Sequence, residues 1–222
     1  MKISVIIPIY NEAATCIDLI KRVQAVSLEK EIIVIDDGST DGTAELLTYI
    51  DGITLLTHKV NQGKGAAVQT AIDQITGEII ILQDGDLEYD PEDYQRLIEP
   101  IESGAVDVVF GSRWLGKNKQ WSFHYIGNKL ITLFSNLINQ RWINDMASCY
   151  KAIPADIFRD LKLNSQGFGL EAEITAKVCR KGFKVKEVPV SYSRRTSAEG
   201  KKLRLKDGLI SAFACLRYRF FD

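Results

Sequence analysis

Short β-branched runs pace this chain, and each ends in acids, amides and glycine. ISVIIPI is followed by Tyr10-Asn11-Glu12, IIVI by Asp36-Asp37-Gly38-Ser39, and IIIL by Gln83-Asp84-Gly85-Asp86-Leu87-Glu88. Between the runs lie segments with apolar residues at helical spacing. Strands that are apolar on both faces and alternate with amphipathic helices specify a mostly parallel sheet covered on both sides. The pattern predicts strands over Ile3–Ile9, Glu31–Ile35, Ile53–Thr57, Ile79–Gln83 and Val106–Phe110. It predicts helices over Ala13–Val26, Thr43–Tyr49, Gly65–Ile75 and Pro91–Ile101, with Asp41 and Asp90 as N-caps and Pro91 at a first helical position. The expected fold class is therefore α/β, a doubly wound, mostly parallel, Rossmann-like sheet flanked by helices.

After Gly111 the rhythm changes. A loop over 114–121 leads into an apolar helix around Tyr125–Leu137, a short strand over Ala147–Ala152, a helix over Leu170–Lys181 and a strand over Lys184–Val190. A final amphipathic helix is expected within Leu203–Phe221. No repeat, low-complexity tract or linker divides the 222 residues, so one domain is expected.

Charge is distributed unevenly. The net charge is −1, yet residues 1–176 hold 15 Lys and Arg against 25 Asp and Glu, a balance of −10, and residues 177–222 hold 13 against 4, a balance of +9. The last fifth of the chain is thus expected to meet an anion, either a phosphate group or an acidic membrane surface, and no nucleic-acid partner is expected. Cys16, Cys149, Cys179 and Cys215 show no zinc or redox spacing, which fits a reduced, cytoplasmic location. The first apolar run gives way too soon to Asn11 and Glu12 to act as a signal peptide, and Leu209–Leu216 falls far short of the roughly 20 residues of a spanning helix. Any membrane contact is expected to be peripheral, at the inner face.

In doubly wound sheets, ligands sit beyond the carboxyl ends of the strands, where this chain concentrates its acids. Asp84, Asp86 and Glu88 offer oxygen ligands only, which suits a hard divalent cation such as Mg²⁺ or Mn²⁺. Such an ion takes one or two carboxylates and completes its shell with phosphate and water, so a phosphorylated ligand is implied. The Asn61–Gly65 connection lacks both GxxxxGK[ST] and GxGxxG, and reads equally as a tight turn or a phosphate contact.

Eight segments carry a resemblance: VIIPIYNE (5–12), IIVIDDGSTDGT (32–43), NQGKGAA (61–67), LQDGDLEYDPED (82–93), GSRW (111–114), NDMASCYKA (144–152), GFGLEAEITAK (167–177) and VPVSYSRRTSAEGKK (188–202). Together they resemble the family 2 glycosyltransferases of GT-A fold, in particular the dolichol-phosphate mannose synthase-like branch. The resemblance implies an inverting transfer of a hexose from a nucleoside diphosphate sugar, GDP-mannose or UDP-glucose, to a polyprenyl phosphate. It divides the domain into a nucleotide-sugar half over 1–113 and an acceptor-side half over 114–222. Nucleotide contacts are implied for Pro8, Tyr10, Glu12, Ile35 and Asp37. Asp84-Gly85-Asp86 becomes the DXD motif, with Asp84 near the sugar and Asp86 on the metal. Glu88, where archaeal-type relatives often carry Gln, is the second metal ligand. Arg113, Arg195 and Lys201 match basic positions around the donor and acceptor phosphates.

One departure bears on the acceptor. A second Arg expected on the helix after GSRW is absent from WSFHYIGNKLIT, whose polar cations are His124 and Lys129. A hydroxyl acceptor with Asp145 as general base is therefore an alternative, and a catalytically silent nucleotide-sugar-binding module is another. Oligomeric state leaves no trace in the sequence.

Overall fold

The computed structural model describes residues 1–115, 123–195 and 205–221. Seven strands form one sheet in the order β3-β2-β1-β4-β6-β5-β7. They are β1 (Ile3–Ile9), β2 (Lys30–Asp36), β3 (Thr54–Thr57), β4 (Ile79–Leu82), β5 (Val108–Ser112), β6 (Lys151–Pro154) and β7 (Val185–Pro189). All neighbours run parallel except β6, which lies antiparallel between β4 and β5. The helices are α1 (Cys16–Ala25), α2 (Thr43–Leu47), α3 (Lys64–Thr70), α4 (Tyr94–Glu102), α5 (Phe123–Asn139), α6 (Ala155–Asp160), α7 (Leu170–Arg180) and α8 (Leu205–Phe220).

The order of the strands follows from their side chains. β1 and β4 are aliphatic on both faces and are buried almost throughout, as central strands must be. The short β3, at one edge, leaves Thr54 and Thr57 exposed, and β7 alternates at the other. β6 and β7 come from the second half of the chain but complete the sheet of the first. The strand expected over Ala147–Ala152 is observed as Lys151–Pro154, because the preceding residues form the turn that carries Asp145. Short α6 was not expected, since Pro154 and six residues give too little periodicity to detect.

Two apolar clusters hold the layers together. The larger joins the sheet to the helices on both faces, and the smaller, including Met146, Ala172, Ala176, Ala214, Cys215 and Tyr218, lies where α7 and α8 meet. Because α7 is covered along nearly its whole length, its charged residues must find partners inside. Glu173 and Lys177 pair at 2.8 Å with no side-chain exposure, and Glu173 also accepts from the backbone N–H groups of Asn164 and Ser165, each at 2.7 Å.

Candidate active site

The loops after β2, β1 and β4 leave adjacent positions on one sheet edge and are laced together. Asn11 turns the chain at φ 50°; its Oδ1 accepts from Thr40 N–H at 2.8 Å, and its own N–H donates to Ser39 Oγ at 2.9 Å. Asp37 anchors the 58–63 connection. Its two oxygens face His58 Nδ1 (2.7 Å), Asn61 Nδ2 (2.9 Å), and the N–H groups of Gln62 (2.9 Å) and Gly63 (2.7 Å).

The acidic turn after β4 rests on a polar floor. Tyr94 and Tyr150 both donate to Gln83 Oε1 at 2.7 Å, fixing the residue just before Asp84. Gly85 is required by space, since a Cβ there would lie 2.9 Å from Pro8 O. Asp84 Oδ1 accepts from Lys64 Nζ at 2.5 Å, and Lys64 also donates to Glu171 Oε1 at 2.6 Å. Burial pushes the Asp84 carboxyl up, but the Lys64 ammonium outweighs it and holds the group below its ordinary value.

Arg195 gathers three further carboxylates. Its guanidinium pairs with Glu12 at 2.8 and 3.1 Å and with Asp86 Oδ2 at 2.8 Å, while its backbone N–H donates to Glu88 Oε1 at 2.8 Å. Tyr192 donates to the other Glu88 oxygen at 2.8 Å. Despite Arg195, burial and then the charge of Asp84 push the Asp86 carboxyl up to about 7. Arg113 is committed elsewhere: its Nε and Nη2 form a bidentate pair with Asp145 at 2.8 and 2.7 Å, and its backbone N–H adds a third bond at 3.0 Å. The Asp145 side chain is fully buried and that of Arg113 is 7% exposed. The guanidinium stacks between Trp114 and Tyr192, 5.1 Å from each ring centre.

This donor set fits a hard divalent cation. Glu12, Asp84, Asp86 and Glu171 form ion pairs with Lys64 and Arg195, and burial together with the neighbouring Asp84 charge raises the Asp86 carboxyl, which a cation placed there would offset. Among the described residues no three acids, imidazoles or thiols gather into a complete metal cage. An ion that uses one or two carboxylates and takes its remaining ligands from phosphate and water needs none.

The structure brings together Glu12, Asp84, Gly85, Asp86, Glu88 and Arg195. Pro8 and Tyr10 are partly exposed at the end of β1. The structure qualifies three of the expected site residues. Ile35 is fully buried within β2, so its side chain forms part of the floor beneath the strand ends. Asp37, 2% exposed, already accepts four hydrogen bonds and acts in this structure as the anchor of a loop. Asp145, with both oxygens on Arg113 and no exposure, is not in the setting of a general base, which must reach the proton it removes. Lys201 and the side chain of His124 lie outside the described residues. Sequence reasoning assigned no role to Lys64, Glu171 or Tyr192, although each lies within a segment that carries the resemblance.

A mostly parallel sheet with acids at its carboxyl edge hosts many chemistries, and the comparisons with known proteins decide which one applies here. The profile of glycosyl transferase family 2 matches residues 4–162, and the chain belongs to that family. It is 31% identical over 210 residues to the glycosyltransferase AglJ of Haloferax volcanii, covering 93% of this chain and 68% of that protein. It is 32% identical over 214 residues to the dolichol-phosphate mannosyltransferase of Pyrococcus furiosus, covering 90% of this chain but 59% of that one. The crystal structure of glucosyl-3-phosphoglycerate synthase from Mycobacterium tuberculosis, in complex with Mn²⁺, UDP and glucosyl-3-phosphoglycerate, superposes with a TM-score of 0.72 over 98% of this chain and 79% of the other, at 21% identity. That likeness establishes the GT-A-type fold.

Proposed function

We propose that this glycosyltransferase moves a hexose from a nucleoside diphosphate sugar, GDP-mannose or UDP-glucose, to a polyprenyl phosphate, with inversion and with Mg²⁺ or Mn²⁺ as cofactor. The observation that carries this reading is the convergence of Asp84, Asp86, Glu88 and Glu12 on one sheet edge with Arg195 set among them. The relative named a dolichol-phosphate mannosyltransferase supports the lipid phosphate, and the Mn²⁺ and UDP of the structural neighbour support the cofactor and donor class.

As the bond from the anomeric carbon to the diphosphate breaks, positive charge builds on the sugar and negative charge on the leaving group. A divalent ion held by Asp86 and Glu88 would supply Lewis-acid stabilisation of that leaving group. Arg195, held by Glu12, is assigned to meet that charge, and a preorganised cation costs no reorganisation at the moment of reaction. Lys201 is assigned the same task. Arg113 is assigned to an acceptor or donor phosphate, with Asp145 as its positioning residue.

The commitment of Asp145 to Arg113 also bears on the acceptor. A phosphate monoester, with a second pKa of roughly 6, is largely ionised at neutral pH and attacks without a base. A hydroxyl acceptor requires one, and the carboxylate suggested for it is occupied. This supports the lipid phosphate, met at the cytoplasmic face of a membrane.

Incubation with labelled nucleotide sugars, Mn²⁺ and a lipid extract tests the proposal. A chloroform-extractable, acid-labile glycosyl phosphate is expected. An alkali-stable glycoside would indicate a hydroxyl acceptor, and no transfer from any donor would overturn the reading. Asp86→Ala is expected to weaken Mn²⁺ binding in the presence of nucleoside diphosphate at least about tenfold, the loss of one charged ligand. Wild-type affinity in a calorimetric titration would remove Asp86 from the metal site.

A further inference from the structure

Beyond β7 the chain passes over the acidic turn, and its backbone N–H groups reach that turn at every second residue. Ser191 N–H donates to Asp93 Oδ2 at 2.5 Å, Ser193 N–H to the Glu88 carbonyl at 2.8 Å, and Arg195 N–H to Glu88 Oε1 at 2.8 Å. Alternation of this kind belongs to antiparallel pairing, and Tyr89 and Tyr192 form one isolated antiparallel bridge.

Tyr192 adds a contact that backbone pairing does not need. Its hydroxyl donates to Glu88 Oε2 at 2.8 Å, so one oxygen of that carboxylate is held by a side chain and the other by the Arg195 backbone. The ring that aims the hydroxyl is itself fixed on two neighbours. One is the buried ring of Tyr89, 5.2 Å away between centres and backed in turn by Tyr150 at 4.5 Å; the other is the Arg113 guanidinium, 5.1 Å from the Tyr192 ring centre. The last torsion of a Glu side chain is broad, and an ion that takes only one or two carboxylates depends on how each is turned. Hydrogen-bond partners of a metal-ligating carboxylate do that turning. Glu88 also ties the turn to the cation above it, because it holds the backbone from which the Arg195 guanidinium reaches Glu12 and Asp86.

We propose that Tyr192 is a positioning residue of the transfer site: its hydroxyl fixes the Glu88 carboxylate, and through Glu88 it sets both a metal ligand and the backbone of Arg195. The inference rests on the roles given above to Glu88 and Arg195, and gives one to a tyrosine that the motifs left without any.

Tyr192→Phe isolates the hydroxyl, since the ring that meets Tyr89 and Arg113 stays. Amide hydrogen exchange of the ligand-free protein reads the clasp directly. Exchange at Arg195 is expected to quicken about fivefold, the worth of one hydrogen bond, while Ser193, whose N–H meets a backbone carbonyl, stays within about twofold. A segment loosened as a whole would speed both alike; that result, or no change at Arg195, would overturn the proposal. Calorimetric titration of Mn²⁺ in the presence of UDP or GDP then reads the metal ligand. The Kd is expected to rise about tenfold in Tyr192→Phe, but by less than about twofold when the same change is made in a Glu88→Ala background, where the hydroxyl has nothing to hold. No rise in the first case, or an undiminished rise in the second, would overturn the proposal; Glu88→Met replaces Glu88→Ala if the latter lacks a cooperative urea transition. A wild-type protein that binds no Mn²⁺ with either nucleotide would overturn the metal reading above, and the exchange at Arg195 and Ser193, which needs no ligand, would still decide whether Tyr192 holds Glu88.

Discussion

Arg113 and Asp145 make the most complete ion pair in the candidate site, with three hydrogen bonds and almost no exposure. Removing one member of such a pair leaves the other charge buried without a partner, at about 3–5 kcal/mol. Asp145→Ala is therefore expected to lower the stability measured by urea unfolding by about that amount. The double variant Asp145→Ala/Arg113→Ala should lose less than the sum of the single changes, because the second removal relieves the first; strict additivity would show that the pair is not coupled. The sequence announced both residues, in GSRW and NDMAS, but not that they face each other. Asp84, Asp86 and Glu88 were legible because two-residue spacing in one turn is itself a pattern. Lys64 and Glu171, 107 positions apart, meet only through the fold and leave no periodic trace.

Glu31 illustrates how a whole element can hang on a residue that reads as ordinary. In the sequence it opens a predicted strand, and the structure makes it the clasp between β2, β1 and the turn before β4. Its carboxylate accepts from Ser4 Oγ at 2.5 Å, Lys2 Nζ at 3.0 Å, the N–H groups of Thr76 (2.6 Å) and Gly77 (3.1 Å), and the Thr76 hydroxyl. Burial pushes its pKa up, but the Ser4, Thr76 and Lys2 hydrogen bonds prevail and bring it down to about 2 from 4.5. Between those two values the unfolded chain binds more protons than the folded one. The stability contributed by Glu31 is thus complete above pH 4.5 and drains away as pH falls through about 2. Glu31→Gln should cost about 1–3 kcal/mol at pH 7 and flatten the stability profile over that acid window. Urea midpoints at a series of pH values check this, and an unchanged acid slope would show that the ionised form is not what holds the strands. Strand and helix positions were largely legible from β-branched runs and periodicity. β6 was misplaced by several residues because a buried turn with Ala, Ser and Cys carries the same apolar signal as a strand.

The second half of the molecule presents an inverted helix. α5 turns Thr132, Ser135, Asn136 and Asn139 inward, where Asn136 exchanges two hydrogen bonds with the backbone of Ile143, at 2.8 and 3.1 Å. Its outward positions are Ile126, Leu130, Leu133 and Leu137, at spacings that align them on one face, each 45–67% exposed. α8, packed against α5, exposes Leu209, Phe213, Leu216 and Phe220 in the same rhythm while burying Ala214, Cys215 and Tyr218. Each helix thus leaves an apolar stripe to solvent, and exposed apolar patches of this kind mark interaction surfaces. Among the described residues neither helix is long and apolar enough to cross a membrane; the membrane contact proposed with the lipid-phosphate acceptor would be made by these exposed faces lying in the interface. Arg217 and Arg219, on α8, add the basic edge that an anionic bilayer attracts. If the acceptor is the proposed polyprenyl phosphate, this basic edge is where the uneven charge of the sequence would meet a membrane surface. Leu130→Glu combined with Phe213→Glu should abolish sedimentation of the protein with phosphatidylglycerol-containing vesicles while leaving Mn²⁺-dependent nucleotide binding intact. Arg217→Ala/Arg219→Ala should weaken vesicle binding less, and chiefly at low salt, because screening already reduces charge attraction at physiological ionic strength. Undiminished sedimentation of the glutamate variant would mean that this face meets another protein surface, and that the lipid acceptor arrives by a different edge of the molecule.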